Sequence, residues 1–188
     1  MNLFFHFTVF GFCNTYLLGP AGGGDAIIVD PGLMDEELLS LVESNNYYIR
    51  NILVTTPHEA HTHGIKTILK IYDAHVLCGA GELPSVGTVR KISDDEEISV
   101  NGQSVTCMLI SGHSQEAVVY KIGNMLFTGD ALGAGRLGDS PNSYAREILL
   151  TMVRDKILTL QESVYIFPGH GPPTSLKIEK DFNPYLAE

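Results

Sequence analysis

Four of the seven histidines and one aspartate share an address in this chain, each standing just past the end of an apolar, strand-like run. His58 and His61 follow the run that ends at Thr55, within Thr55-Thr56-Pro57-His58-Glu59-Ala60-His61-Thr62-His63-Gly64. His113 follows the run ending at Ile110, Asp130 follows Met125-Leu126-Phe127-Thr128, and His170 follows the run ending at Phe167. Glycine flanks most of these positions, as in Gly112-His113, Gly129-Asp130 and Gly169-His170-Gly171. Loops carried on strand ends are where binding groups concentrate. Neutral imidazoles with one carboxylate are a usual zinc ligand set, and distant segments can supply them together. A single loop histidine reads as a cap or a surface residue, but His58, His61, His113, Asp130 and His170 taken together read as a metal centre. His6 and His75 lie inside strand-like runs and are read as structural. His63, two places beyond His61 at the start of a helix, turns about 200° away and either supports the site or faces solvent.

The elements that must position these residues are legible from periodicity. The run Leu3 to Leu18 is rich in Phe, Val, Thr and Tyr and is broken by a turn at Gly11 to Asn14, which predicts two paired strands. Gly19-Pro20-Ala21-Gly22-Gly23-Gly24 is a flexible turn, and Asp25 to Asp30 is a buried strand ending in Pro31-Gly32. Asp35 to Ser44 places Leu38, Leu39 and Val42 at helical spacing, Arg50 to Val54 is a strand, and a helix then carries Ile65, Ile68 and Leu69 inward. Further strands are expected at His75 to Cys78, Glu97 to Val100, Gln103 to Ile110, Ala117 to Ile122, Met125 to Thr128 and Ser163 to Phe167. Asn101-Gly102 and Gly123-Asn124 are turns that favour positive φ, so the middle of the chain reads as an antiparallel meander. Ser143 to Leu158 reads as one helix with Ile148, Leu149, Met152 and Ile157 inward. The pattern predicts two sheets face to face with helices outside, in one domain over residues 1–188.

Composition narrows the function classes. Twelve Lys and Arg against 22 Asp and Glu leave a formal net charge of −10 over 188 residues. That balance opposes nucleic acid, whose binding draws on Lys and Arg neutralising phosphates. A chain of this length buries a sufficient core without a staple, so a metal would serve chemistry rather than folding. Cys13, Cys78 and Cys107 form no CxxC pair and read as small buried apolar residues in a reducing cytoplasm. The apolar opening has no Lys or Arg ahead of it and is broken by His6, Asn14 and Thr15, unlike a secretory signal, and no later run suits a membrane span.

Together these motifs resemble the metallo-β-lactamase superfamily, in particular its small glyoxalase-II-like hydrolases. Asn14-Thr15-Tyr16-Leu17 and Ile28-Val29-Asp30-Pro31-Gly32 are similar to the family's opening strands, and Ser111-Gly112-His113-Ser114 to its third metal motif. Leu126-Phe127-Thr128-Gly129-Asp130 resembles its bridging-aspartate strand, and Phe167-Pro168-Gly169-His170-Gly171-Pro172-Pro173 its last histidine loop. The resemblance implies an α/β (α+β) fold, the four-layer αββα sandwich. The family's first metal motif, His-x-His-x-Asp-His, aligns with Thr56, Pro57, His58, Glu59, Ala60 and His61. Thr56 thus stands for a histidine and Ala60 for an aspartate that ligates the second metal and helps to orient or deprotonate water. Carried over residue by residue, His58, His113 and Asp130 remain of the first site, and His61, His170 and Asp130 of the second.

Two divalent ions held by one carboxylate and four neutral imidazoles would carry a formal +3 at a separation of about 3.5–4 Å, against +2 in the intact family site. The expected cofactor is therefore one divalent metal or none. Zinc comes first, and iron or manganese suits a two-His-one-carboxylate set as well. The implied activity is hydrolysis of a small ester or thioester through a metal-bound water, with Asp130 anchoring the ion and accepting from the water. Proton abstraction would fall to Asp130 or solvent. Glyoxalase II enzymes carry a helical glutathione-binding domain that is not expected here, and the superfamily's nucleases need a basic groove. Arg136, on the loop after Asp130, is a candidate for engaging an anionic substrate or a solvated loop charge. A pseudoenzyme that binds a small-molecule ligand or a partner, motivated by Thr56 and Ala60, is the competing reading. Oxygen chemistry at a mononuclear iron ranks last.

Overall fold

The computed structural model describes residues 1–84 and 86–186. In chain order the first sheet is built from β1 (Asn2–Phe7), β2 (Asn14–Gly19), β3 (Gly24–Val29), β4 (Tyr47–Val54) and β5 (His75–Cys78). A short hairpin, β6 (Glu82–Leu83) and β7 (Gly87–Thr88), leads to its last strand, β8 (Arg90–Lys91). The second sheet takes β9 (Glu96–Val100), β10 (Gln103–Leu109), β11 (Val118–Ile122) and β12 (Met125–Gly129). The hairpin β13 (Leu132–Gly133) and β14 (Arg136–Leu137) intervenes before β15 (Tyr165–Pro168) and β16 (Thr174–Ser175) complete that sheet. Helices α1 (Glu36–Ser44), α2 (Glu59–Thr62), α3 (Ile65–Ile71) and α4 (Ser143–Met152) lie between strands in sequence, and α5 (Leu176–Phe182) follows the last of them.

Strand alternation explains the layers, because successive side chains point to opposite faces. In β2, Tyr16 and Leu18 enter the core between the sheets while Leu17 faces the helices; in β3, Ile27 and Val29 turn inward and Ile28 outward. The inner core joins Leu53 and Leu77 to Val105, Val118, Tyr120 and Phe127 of the second sheet. Outside the first sheet Leu38, Val42, Ile65 and Ile68 of α1 and α3 cover Ala26, Ile28, Ile52 and Val54. Outside the second sheet Leu149, Val153, Ile157 and Leu176 cover Met108, Val119, Leu126 and Ile166. The result is the αββα sandwich expected from the sequence.

Strand order β1-β2-β3-β4-β5-β8 and β16-β15-β12-β11-β10-β9 settles where the loops emerge. β3, β4 and β5 are mutually parallel, and β12 is parallel to β15. β10 is antiparallel to β11 and β11 to β12, so β10 and β12 point the same way. His113, Asp130 and His170 therefore leave the second sheet from one end. The Asn101-Gly102 and Gly123-Asn124 turns close the meander as expected, with Asn101, Gly102 and Gly123 at positive φ.

Several elements differ from the sequence reading. The helix expected over Ser143 to Leu158 is α-helical only to Met152 and then widens into a π turn over Val153–Ile157. That turn keeps Val153 and Ile157 both fully buried against the sheet. β4 begins at Tyr47, three residues before Arg50. The β13–β14 hairpin, β16 and α5 are too short to show the hydrophobic period that marks an element in a sequence. All three cysteines are free and buried, as expected. Among the described residues no helix is long and apolar enough to cross a membrane.

Candidate metal centre

The five residues picked out by their strand-end address come together in space. His58, His113 and Asp130 form one cluster and His61, Asp130 and His170 another, the ligand atoms of each lying within 4.8 Å of one another. Asp130 belongs to both. Its Oδ1 lies 2.6 Å from His170 Nδ1, and its Oδ2 lies 3.1 Å from His61 Nε2, 3.4 Å from His113 Nε2 and 3.8 Å from His58 Nδ1. Two glycines permit this convergence. Gly129 has φ +51, and a Cβ there would lie 2.1 Å from Thr55 Oγ1. A Cβ on Gly169 would lie 2.4 Å from His61 Cε1, so the His170 loop passes directly against the His61 ring.

The imidazoles are oriented from behind. His61 Nδ1 donates to Asp30 Oδ2 at 3.0 Å, His113 Nδ1 to the Asp139 carbonyl at 2.7 Å, and His170 Nε2 to the Gly11 carbonyl at 3.0 Å. With those nitrogens committed outward, a neutral His61, His113 or His170 ring would turn its remaining lone pair on the carboxylate of Asp130, acceptor against acceptor. His58 Nδ1 lies 3.2 Å from His113 Nε2. Lone pairs turned on one another are what a cation between them would satisfy. Outward hydrogen bonds of this kind are how metal-ligating histidines are held. The donor set fits a divalent metal.

Protons on the rings relieve the same opposition. Burial works against ionisation of Asp130, yet hydrogen bonds from His113, His170, His58 and His61 hold its carboxyl well below the usual carboxylate range. Hydrogen bonding to Asp130 pushes the His113 and His170 imidazoles up, against the effect of burial. Burial opposes protonation of His61 most strongly, but the charge of Asp30 and hydrogen bonds to Asp130 and Asp30 raise it well above the ordinary histidine value. Behind it Cys13, its thiol pushed up by burial, lies with Sγ 3.7 Å from His61 Nδ1.

Asp30 was read only as the end of a strand, and the structure gives it more. It is buried in the left-handed region, at φ +51. Its Oδ1 accepts from the Thr55 amide at 2.8 Å and its Oδ2 from Thr55 Oγ1 at 2.6 Å, besides His61. One side chain therefore fixes the end of β4 and the ring of His61. Its position at the end of Ala26-Ile27-Ile28-Val29, the same address as the ligands, was the available signal. Asp139, which holds His113 through its backbone carbonyl, has no comparable sequence signal.

The remaining histidines fall where their contexts suggest. His75 is exposed in β5, and His6 is buried in β1 with Nε2 3.1 Å from Asp35. His63 is half-exposed, paired with Glu59 and stacked on Phe10 at 4.1 Å between centroids. Thr56 is buried with Oγ1 3.5 Å from Ser114 Oγ, and neither it nor Ala60 supplies an imidazole or carboxylate. Beside the clusters opens a cavity of about 280 Å³, lined by His113, Asp130, His170 and Asp139 and reached by Arg136 on β14. Glu179 of α5, buried, accepts from the Gly135 amide at 2.9 Å and from Thr174 and Asn183, and so anchors the β13–β14 hairpin that carries Arg136.

The sequence profile of the metallo-beta-lactamase superfamily matches residues 8–170, and the chain belongs to that superfamily. It is 27% identical over 195 residues to a probable metallo-hydrolase of Bacillus subtilis, covering 92% of each chain. It is also 27% identical over 147 residues to a hydroxyacylglutathione hydrolase of Klebsiella pneumoniae, covering 78% of this chain and 57% of that one. The crystal structure of BLEG-1, a B3 metallo-beta-lactamase, superposes with a TM-score of 0.86 at 22% identity over 100% of both chains.

Proposed function

We propose that this protein is a metal-dependent hydrolase that cleaves a small ester or thioester with one bound divalent ion. The observation that carries the reading is Asp130 shared by two clusters in which His61, His113 and His170 have their other nitrogens tied outward. His61, Asp130 and His170 would hold the ion, because Asp30 and the Gly11 carbonyl brace both of those rings. Zinc is the first expectation, and iron(II) or manganese suits the same donors. When bound, such an ion lowers the pKa of water towards about 7 and polarises the carbonyl to be cleaved.

The chain's own groups do the rest. Asp130 orients the rings and anchors the cation. The half-exposed His58 imidazole lies beside it and gives a proton a route to solvent. The cavity of about 280 Å³ accommodates a small acyl group, and the hydroxyacylglutathione hydrolase resemblance favours a thioester among the candidates. Metal analysis of protein purified without chelator, followed by an ester and thioester panel, tests the proposal. A stoichiometry near one with turnover supports it, and a stoichiometry near zero without turnover ends it.

Arg136 at the mouth of the cavity gives a sharper expectation. A hydrogen bond to a charged group is worth about 1.5–3 kcal/mol, so Arg136→Ala should raise KM for an anionic thioester by roughly 10- to 100-fold. Its kcat should stay near the parent value, and a neutral ester should be unaffected. Equal losses on both substrates would remove Arg136 from substrate binding.

Thr56 and Ala60, which offer no ligand, favour a second reading in which the centre no longer works. The double variant Thr56→His, Ala60→Asp separates the two. On the hydrolase reading the parent already holds one ion, and the variant takes up a second and gains up to about 10²–10⁴-fold in turnover from a restored base. On the pseudoenzyme reading the parent holds none and only the variant takes up metal. Plasma emission analysis of both proteins, with circular dichroism as the folding control, decides between them.

A further inference from the structure

Four strands end the two sheets, and three of them are protected. β8 is only Arg90 and Lys91, β16 is only Thr174 and Ser175 before the chain turns into α5, and β9 carries Glu96 and Glu97. Shortness and charge are the ordinary means by which an edge strand is kept from pairing with another chain. β1 has neither. Asn2-Leu3-Phe4-Phe5-His6-Phe7 is six residues long, contains no Lys, Arg, Asp, Glu or Pro, and pairs with β2 in unbroken register without a bulge. Its other edge has no strand beside it among the described residues.

The side chains along this edge are apolar and uncovered. Phe5 and Phe7 are 51% and 48% exposed on the face that also carries Leu3, and Phe12, 67% exposed, brings its ring to 6.4 Å from that of Phe7. At roughly 200 Å² per side chain these three rings leave on the order of 330 Å² of aromatic surface in solvent. Patches of about 300–600 Å² are the largest that ordinary monomers show, and they often serve binding.

We propose that β1 pairs antiparallel with β1 of a second copy of this chain, about a two-fold axis at Phe5, so that the two first sheets become one continuous sheet. The strand's own order selects that occupant. With Phe5 on the axis, Leu3 lies opposite the partner's Phe7 and Phe4 opposite the partner's His6, so the apolar row meets itself. Each chain carries a formal −10, and most faces of two copies repel; β1 has no charged side chain to set against another. A two-fold contact uses the same patch on both sides, as this one does.

Sedimentation velocity of the full chain across a concentration series tests the pairing. The expected species approaches twice the mass of one chain and tightens as salt is added, because screening weakens the repulsion between two acidic bodies. Phe5→Lys should weaken association by roughly 100-fold or more, since two like charges would face each other across the axis; Phe7→Lys, which sets a lysine against the partner's Leu3, should weaken it as well, but less. Phe5→Cys gives an independent reading. Residues opposite one another in an antiparallel pair have Cα atoms about 4.5–5.5 Å apart, inside disulfide reach, and the native cysteines are buried. Mild oxidation should therefore link this variant between chains far faster than Val9→Cys, which is more exposed but off the register. A parent that stays monomeric throughout the series overturns the proposal. So does a dimer that both lysine variants leave intact while Phe5→Cys links no faster than Val9→Cys, which would place the contact elsewhere.

Discussion

Replacing Asp130 with alanine should abolish metal uptake altogether, the largest single effect expected at this site. Asp130 is the one carboxylate in either cluster, so its loss leaves four neutral imidazoles and no ligand charge to offset a divalent cation. Removing an outer hydrogen-bonding partner of a metal site typically costs about 10–100-fold in affinity. Removing the shared ligand itself should exceed that range, and hydrolytic turnover should fall with it. Chelator competition with zinc reads the affinity directly. An Asp130→Ala protein that still binds one ion within tenfold of the parent would show that the metal lies elsewhere. His61, His113 and His170 remain braced by Asp30, Asp139 and Gly11, so a loss of binding reports the missing ligand rather than a scattered site.

Asp30 is expected to matter for stability as much as for the metal. It is buried, and truncating it to alanine leaves the Thr55 amide, the Thr55 hydroxyl and the His61 Nδ1–H without their acceptor at once. Breaking a buried, hydrogen-bonded charge pair costs about 3–5 kcal/mol, a large part of the roughly 5–15 kcal/mol that holds a domain folded. Asp30→Asn keeps the shape and one acceptor oxygen, so it should lose less stability. It should still weaken metal binding by about 10–100-fold, because the His61 ring is no longer fixed by a charge. Denaturant unfolding of the metal-free proteins separates the stability effect from the metal effect. Equal stability of parent and Asp30→Ala would mean that the carboxylate is dispensable to the end of β4.

The ease of reading the centre from the sequence differed from residue to residue for identifiable reasons. His58, His61, His113, Asp130 and His170 were legible because each follows the end of an apolar run, and His113, Asp130 and His170 have an adjacent glycine as well. Asp30 carries the first of those signals but its role is not local. Only the parallel pairing of β3 with β4 sets its carboxylate against Thr55 and His61. The Gly11 carbonyl that braces His170 comes from 159 residues away along the chain, a distance at which periodicity says nothing. Glu179 sat outside every motif, and its value as an anchor for Gly135 appears only once α5 is packed beneath the β13–β14 hairpin. The π turn at Val153–Ile157 was hidden because the side-chain pattern of Ser143 to Leu158 suits an unbroken α-helix equally well.

By itself the sequence determined the alternation that makes two sheets, the helical stripes that cover them, and the five side chains that stand as candidate ligands for a cation. These follow from short-range rules: two-residue periods, three-to-four-residue periods, and glycine at tight passages. Tertiary structure decided which imidazole nitrogen faces the centre, which carbonyls and carboxylates stand behind the rings, and which sheet edge is left bare. Those properties depend on contacts between segments far apart in the chain. Hydrogen-bond direction and solvent exposure exist only when the layers have closed on one another.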